Sequence, residues 1–180
     1  MNDKIHIIAE YVLNGQLIDR HQTKTLIEES DKSFMDLLFW ANKIREENFG
    51  NKIRVCSIVP GRLGGCSQDC AFCAQSAKYQ TEFSSPKYLT DDEIYSAAKE
   101  AKQKGVPFFG VVYSGKTINE DELQRLEKLI AKIKSELGLG VCGGLGIISE
   151  SQAKRLKAAG MSRYNHNLET SENHFANIVT

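Results

Sequence analysis

Hydrophobic positions change their period along this chain. In the first fifty residues they recur at three- and four-residue spacing, with Phe34, Leu37, Leu38, Ala41 and Ile44 marking one face. That spacing predicts helices over residues 1–50, with Gly50 as a stop. Next, Ile53-Arg54-Val55-Cys56-Ser57-Ile58-Val59 alternates as a strand does, and Pro60-Gly61 is expected to end it and open a loop. From Thr90 onward one unit repeats. Thr90 with Glu93, Asn119 with Glu122 and Ser149 with Gln152 each predict a helix start, because the two side chains of such a pair satisfy free backbone N–H groups reciprocally. The apolar faces that follow are Ile94, Ala97, Ala98 and Ala101, then Leu123, Leu126, Leu129, Ile130, Ile133 and Leu137, then Ala153, Leu156 and Ala159. Gly105, Gly138 and Gly160 predict the three ends. Val106 to Tyr113, Leu139 to Cys142 and Met161 to Asn167 lie between, and their apolar, β-branched and aromatic content predicts strands.

The order is therefore strand, helix, strand, helix, strand, helix, strand, which implies parallel strands with crossover helices. The expected fold class is α/β: a helical segment over 1–50, then the first four βα units of a (β/α)8 barrel or a doubly wound sheet over 51–180. No glycine-rich dinucleotide fingerprint follows the first strand. In both architectures, function sits at the C-terminal ends of the strands. Four segments are expected to meet there: the loop after strand one, Tyr113-Ser114-Gly115-Lys116, Cys142-Gly143-Gly144 and Asn165-His166-Asn167.

Charge narrows the partners. Twenty-three basic residues balance 23 acidic ones, so no basic excess suits nucleic acid and no single-sign field suits a membrane surface. Apolar runs are far short of a membrane span. Met1-Asn2-Asp3-Lys4-Ile5-His6 lacks the build of a secretory signal, and five cysteines, three of them clustered, fit a reducing cytoplasm better than a disulfide framework. A complete barrel takes about 250 residues. The 180 residues here are thus expected to be an N-terminal half, poorly folded or self-associating in isolation.

The chemistry concentrates in Cys66-Ser67-Gln68-Asp69-Cys70-Ala71-Phe72-Cys73. Three thiolates at C-x3-C-x2-C hold three irons of a [4Fe–4S] cube and leave the fourth iron open to a substrate or cofactor. Gly64 and Gly65 are expected to let the backbone wrap closely around the cluster. Zinc is the alternative, but it ordinarily takes a second cysteine pair, and none follows.

A C-x3-C-x2-C loop after the first strand of a βα barrel resembles the radical S-adenosylmethionine (radical SAM) superfamily. That resemblance implies that the open iron binds S-adenosylmethionine and that cleavage yields a 5′-deoxyadenosyl radical. It also implies that Phe72 packs near the adenine. Within the superfamily, CSQDCAFCAQS at Cys66–Ser76, SESQAKRLKAAG at Ser149–Gly160 and YNHNLETS at Tyr164–Ser171 are similar to the biotin synthase family. That family converts dethiobiotin to biotin by sulfur insertion, with electrons from a donor such as flavodoxin or ferredoxin, and a homodimer is expected.

The roles implied are residue-specific. Cys66, Cys70 and Cys73 would hold the [4Fe–4S] cluster, Asn167 and Glu169 the S-adenosylmethionine ribose region, and Asn165 and Asn167 the ureido ring of dethiobiotin. Glu169 stands where the family usually has Asp. Strand-end capping is the plainer reading of the asparagines. Strand alternation would turn His166 to the opposite face.

The second, sulfur-donating cluster of the family would draw on Cys142. Its first ligand aligns at about Phe109, where this chain has no cysteine. Cys142 reads equally as a small buried strand residue, and Cys56, mid-strand, is expected to be core rather than a ligand. The absence at Phe109 keeps a radical rearrangement or maturation enzyme open, of the hydrogenase-maturation or methylornithine-forming branch. So does the short chain for an incomplete iron–sulfur or zinc-binding module.

Overall fold

The computed structural model describes residues 1–179. The chain divides into two compact units, Met1–Ile53 and Arg54–Thr180.

The first unit is three helices, α1 (Asp3–Leu13), α2 (Arg20–Ser30) and α3 (Phe34–Phe49). Asn2 caps α1, and Asp19 with Gln22 forms a capping box on α2. Ile5, Ala9 and Trp40 make the core, with Leu13, Leu26, Leu37 and Ile44 packed against them. The buried stripe of α3 therefore runs Leu37, Trp40, Ile44. Phe34 and Leu38, expected on that face, are exposed. The bulky indole takes the centre of the contact and rotates the helix face toward itself.

The second unit is α/β. Its elements are β1 (Cys56–Leu63), β2 (Lys87–Tyr88), α4 (Asp91–Gln103), β3 (Phe108–Tyr113), α5 (Glu120–Lys132), β4 (Gly140–Gly144), α6 (Glu150–Ala159), β5 (Met161–Tyr164) and α7 (Glu172–Ile178). A π-helical turn, Ile133–Leu137, extends α5 to the left-handed Gly138. The sheet order is β2-β1-β3-β4-β5, with β1, β3, β4 and β5 parallel and the short β2 antiparallel at the edge. These are the first four βα units of a barrel design. All three expected capping boxes form: Glu93 N donates to Thr90 Oγ1 at 3.2 Å while Thr90 N donates to Glu93 Oε2 at 2.7 Å, and the α5 and α6 pairs do the same. Acidic residues in the first turns of α4 and α5 add favourable charge at the positive end of each helix.

The helices cover one face of the sheet. Phe109, Val111, Val141 and Leu145 are buried against Ile94, Leu123, Leu126, Ile130 and Leu156. Each such side chain removed from water stabilises the fold by roughly 1.5–3 kcal/mol. The alternate positions face the other way: Ile58 is 69% exposed and Val112 38%.

Three expectations are corrected. β1 does not end at Pro60-Gly61 but runs to Leu63. The register slips there, with Val112 opposite Pro60 and Tyr113 opposite Arg62, so the proline sits at a bulge, where a missing N–H is tolerated. Gly61 is required at that point, since a Cβ would lie 2.3 Å from Tyr113 Cε1. β5 ends at Tyr164, so Asn165–Asn167 are not strand. Cys56, read as a core residue, is exposed at the start of β1. No helix among the described residues is long and apolar enough to cross a membrane.

The Tyr113 hydroxyl is buried without a hydrogen-bond partner among the described residues. Removing an unsatisfied buried hydroxyl recovers its desolvation cost. Tyr113→Phe is expected to raise stability by about 1 kcal/mol, read as a higher denaturation midpoint with an unchanged urea slope.

Candidate functional site

The cysteine loop is built by backbone bonds before any cofactor enters. Gly65 N donates to Phe83 O (2.9 Å), Cys66 N to Gln75 O (2.9 Å) and Ala77 N to Cys66 O (2.8 Å). The Gln75 side chain accepts from Gly64 N at 3.0 Å, and Ser114 Oγ, at the end of β3, donates to Gly64 O at 2.6 Å. Gly64 and Gly65 have φ of 77° and 62°. A Cβ on Gly64 would lie 2.3 Å from Phe83 O, and one on Gly65 2.6 Å from Pro86 Cδ. The glycines thus let the loop close on its own return segment. Cys73 N donates to Cys70 O (3.0 Å), turning the loop between the last two thiols. Gln68 N donates to Cys66 Sγ at 3.5 Å. The Tyr79 hydroxyl donates to Asp69 O, and Lys78 pairs with the Asp69 carboxylate at 3.1 Å.

Cys66, Cys70 and Cys73 line one cavity of about 390 Å³. From the loop, Phe72 joins them. From the end of β3 come Ser114, Gly115 and Lys116; after β4 come Gly146 and Ile147; after β5 come His166, Asn167 and Glu169. Phe175 of α7 completes a wall, and Ala71 N donates to Ile178 O at 2.9 Å, tying α7 to the loop. The strand ends expected to converge do so in part, with three differences. Cys142, Gly143 and Gly144 lie on a different cavity, and Gly146 and Ile147, further along the chain, stand here in their place. His166 lies on this cavity, because the chain has left the sheet and no longer alternates. Asn165 does not; it lines a second cavity. Glu169 has φ 62°, the left-handed region that only glycine, asparagine and aspartate enter readily. Lys116 and His166 were expected only as members of segments after strand ends, with no role of their own, and Phe175 carries no motif signal.

The three thiols are free. Among the described residues no three His, Cys, Asp or Glu side chains close on a single metal-ion position. A mononuclear zinc site needs every sulfur about 2.3 Å from one point, whereas a cube takes each cysteine on its own iron. Three separate thiols around one cavity fit the cube, with room beside it for a small cofactor.

A buried ion pair holds the Ser114–Lys116 wall of this cavity. Arg62 of β1 donates to Glu122 Oε1 at 2.6 Å, to Thr117 O at 3.0 Å and to Ser114 O. The two side chains are 13% and 11% exposed. Arg62 thereby fixes the segment that carries Ser114, Gly115 and Lys116.

The second cavity, about 300 Å³, lies on the open face of the sheet. Arg54, Cys56, Phe108, Cys142, Arg163 and Asn165 are on it. Cys142 is 7% exposed. Burial pushes its thiol above the ordinary value; Arg163 opposes the shift and Cys56 adds to it. Phe109, to which the missing cysteine was aligned, is fully buried among the helices. The β3 residue on the open face is its neighbour Phe108, which lies opposite Cys56. A cysteine at 109 would point away from this cavity.

The family model of the Radical SAM superfamily matches residues 62–180, from the end of β1 through the whole site. The chain belongs to the radical SAM superfamily. Similar proteins include the biotin synthase of Persephonella marina, 36% identical over 181 residues, covering 100% of this chain and 54% of that protein. The biotin synthase of Clostridium botulinum (strain Hall) is 38% identical over 169 residues, covering 94% and 52%. The chain spans about half the length of these curated relatives. In fold, this radical SAM chain is similar to methylornithine synthase (PylB), with a TM-score of 0.75 at 22% identity over 92% of this chain and 49% of that one. It is also similar to HydG, a maturase of the [FeFe]-hydrogenase, with a TM-score of 0.75 at 18% identity over 90% and 36%. Radical SAM membership implies S-adenosylmethionine and a [4Fe–4S] cluster, which the loop thiols fit.

Proposed function

We propose that this chain provides the cluster and cofactor site of a biotin synthase-like enzyme that inserts sulfur into dethiobiotin. The observation that supports this most is the cavity on which Cys66, Cys70, Cys73, Asn167 and Glu169 meet, in a chain whose relatives along its whole length include biotin synthases. Cys66, Cys70 and Cys73 hold the cluster. When bound, that cluster supplies one electron to the sulfonium of S-adenosylmethionine, received from a donor such as flavodoxin or ferredoxin. Phe72 offers an aromatic surface to the adenine. Glu169 accepts from ribose hydroxyls and Asn167 offers both donor and acceptor. Asn165 and Asn167, one on each cavity, pair with the N–H and C=O groups of the ureido ring of dethiobiotin.

The test is anaerobic reconstitution with iron and sulfide, followed by electron paramagnetic resonance of the reduced cluster with and without S-adenosylmethionine. A shifted spectrum, then biotin and 5′-deoxyadenosine from dethiobiotin, is the expected result. An unshifted spectrum counts against the cofactor site. 5′-Deoxyadenosine without biotin favours a second reading, radical rearrangement or maturation chemistry. The aromatic residues at positions 108 and 109 support that reading.

Glu169 ties conformation to this site. Asparagine adopts the left-handed region more readily than glutamate, so Glu169→Asn is expected to stabilise the apo chain by up to about 1 kcal/mol. Loss of a charged acceptor is expected to weaken S-adenosylmethionine binding by about tenfold, some 1.4 kcal/mol. Thermal melts and calorimetric titration of the reconstituted protein read the two effects separately.

A further inference from the structure

Tyr164 opens the YNHNLETS segment, and none of the roles given above uses it. It ends β5, opposite Gly143 of β4, with its ring packed on the core and outside the lining of the loop cavity. Its hydroxyl is engaged on both sides, accepting from Leu145 N at 3.2 Å and donating to Gly146 O at 2.5 Å. Burial holds the phenol above its ordinary value, with the Leu145 N–H opposing that shift, so the hydroxyl keeps the proton it donates. Tyr113, at the end of β3, makes the contrast: it is more deeply buried, and its hydroxyl has no partner among the described residues.

The turn that Tyr164 grips carries two residues of the cavity wall, Gly146 and Ile147. Gly146 has φ 77°, and a Cβ on it would lie 2.3 Å from Lys116 O. Ile147 N donates to the same Lys116 O at 2.7 Å. Leu145, before them, is fully buried in the core. The turn is therefore fixed by Leu145, by Lys116 O and by the phenol, while the Ile147 side chain stays 58% exposed on the cavity. Arg62 in turn holds Ser114 O and Thr117 O, on either side of Lys116. One run of hydrogen bonds thus joins the ends of β1, β3, β4 and β5 around the cavity.

We propose that Tyr164 is a positioning residue for S-adenosylmethionine. From outside the cavity, its hydroxyl holds Gly146 and Ile147 against Lys116 and so presents Ile147 as a preformed apolar surface to the adenosyl part of the cofactor. Phenylalanine at 164 keeps the ring and its packing but frees a turn built on a left-handed glycine. Each binding event must then order that turn, and the cost appears as weaker binding. The cluster itself is left alone, because none of its three thiols lies on this turn. The assignment rests on the reading of the loop cavity as the S-adenosylmethionine site.

The unmutated chain, Tyr164→Phe, Ile147→Ala, their double variant and Tyr113→Phe are each reconstituted anaerobically with iron and sulfide. The reduced clusters are then titrated with S-adenosylmethionine by electron paramagnetic resonance. Tyr164→Phe is expected to raise the half-saturating concentration about tenfold, the effect of losing one buried, doubly bonded hydroxyl. Its saturated spectrum and its iron and sulfide content are expected to stay those of the unmutated chain. Tyr113→Phe deletes the same atom and is expected to leave half-saturation where it was. Because Tyr164 acts through Ile147, the double variant is expected to lose less than the product of the two single losses. A Tyr164→Phe chain with a lower denaturation midpoint but unmoved half-saturation, an equal rise in Tyr113→Phe, or single losses that multiply would each overturn the assignment. If Tyr164→Phe does not fold, the exposed Ile147→Ala carries the test: weaker binding supports the wall, and unchanged binding overturns it. The cavity reading fails separately, by an unmutated chain whose spectrum ignores S-adenosylmethionine.

Discussion

Alanine at any one of Cys66, Cys70 or Cys73 is expected to cut 5′-deoxyadenosine formation by at least about a thousandfold, equivalent to some 4 kcal/mol of lost barrier reduction. The reason is stoichiometric: the loop offers three thiols to three irons and has no fourth to replace a lost one. The apo fold should be little affected. The loop's shape comes from backbone and glutamine bonds to Gly64, Gly65, Cys66 and Ala77, and the only sulfur bond described within it is the weak one from Gln68 N. Product quantification by mass spectrometry, beside far-ultraviolet circular dichroism of each apo variant, checks both halves. A Cys70→Ala protein that still forms 5′-deoxyadenosine at near the unmutated rate would remove the loop from the chemistry altogether.

Arg62→Ala is expected to have the largest effect on stability, lowering it by about 3–5 kcal/mol. The substitution leaves the Glu122 carboxylate, 11% exposed, without its cation and strips the hydrogen bonds from Ser114 O and Thr117 O. Glu122→Gln should cost less, because the amide oxygen can still accept from Asn119 N and keep the α5 cap. The double variant is expected to be more stable than the sum of the single losses implies, since no unpaired buried charge remains. Chemical denaturation of all four proteins measures this coupling; strict additivity would mean that the pair contributes nothing beyond its separate hydrogen bonds. The same substitution should loosen Ser114–Lys116 and thereby weaken cofactor binding in the reconstituted protein.

What could be read in the sequence followed the range of the forces involved. Helix starts depend on side chains three residues apart, so Thr90, Asn119 and Ser149 announced α4, α5 and α6, and the pairs all close as expected. The three loop cysteines were visible for the same reason, as neighbours in the chain. Features set by contacts between distant segments were not. Pro60-Gly61 looked like a strand end because a bulge can be recognised only beside its partner strand. β2 is two residues long and exists through pairing with Arg62 and Leu63. Arg62 and Glu122, sixty positions apart, gave no local sign of becoming a buried pair. Motif similarity put the missing cysteine near Phe109, one residue off in facing, and an offset of one in a strand exchanges the two faces of the sheet. His166 was misassigned by extending β5 three residues too far.

The two-sided sheet implies a numerical rule for tolerance to mutation. In β1, β3 and β4 the residues beneath the helices, Val59, Phe109, Val111, Tyr113 and Val141, all carry odd numbers. Those toward the open cavity, Cys56, Ile58, Phe108, Gly110, Val112, Cys142 and Gly144, carry even ones, and the one odd-numbered strand residue on that cavity, Gly143, has no side chain to aim. A saturation scan of these strands should therefore oscillate with period two in both readouts and in opposite phase: abundance falling at odd positions, chemistry failing at even ones while the protein persists.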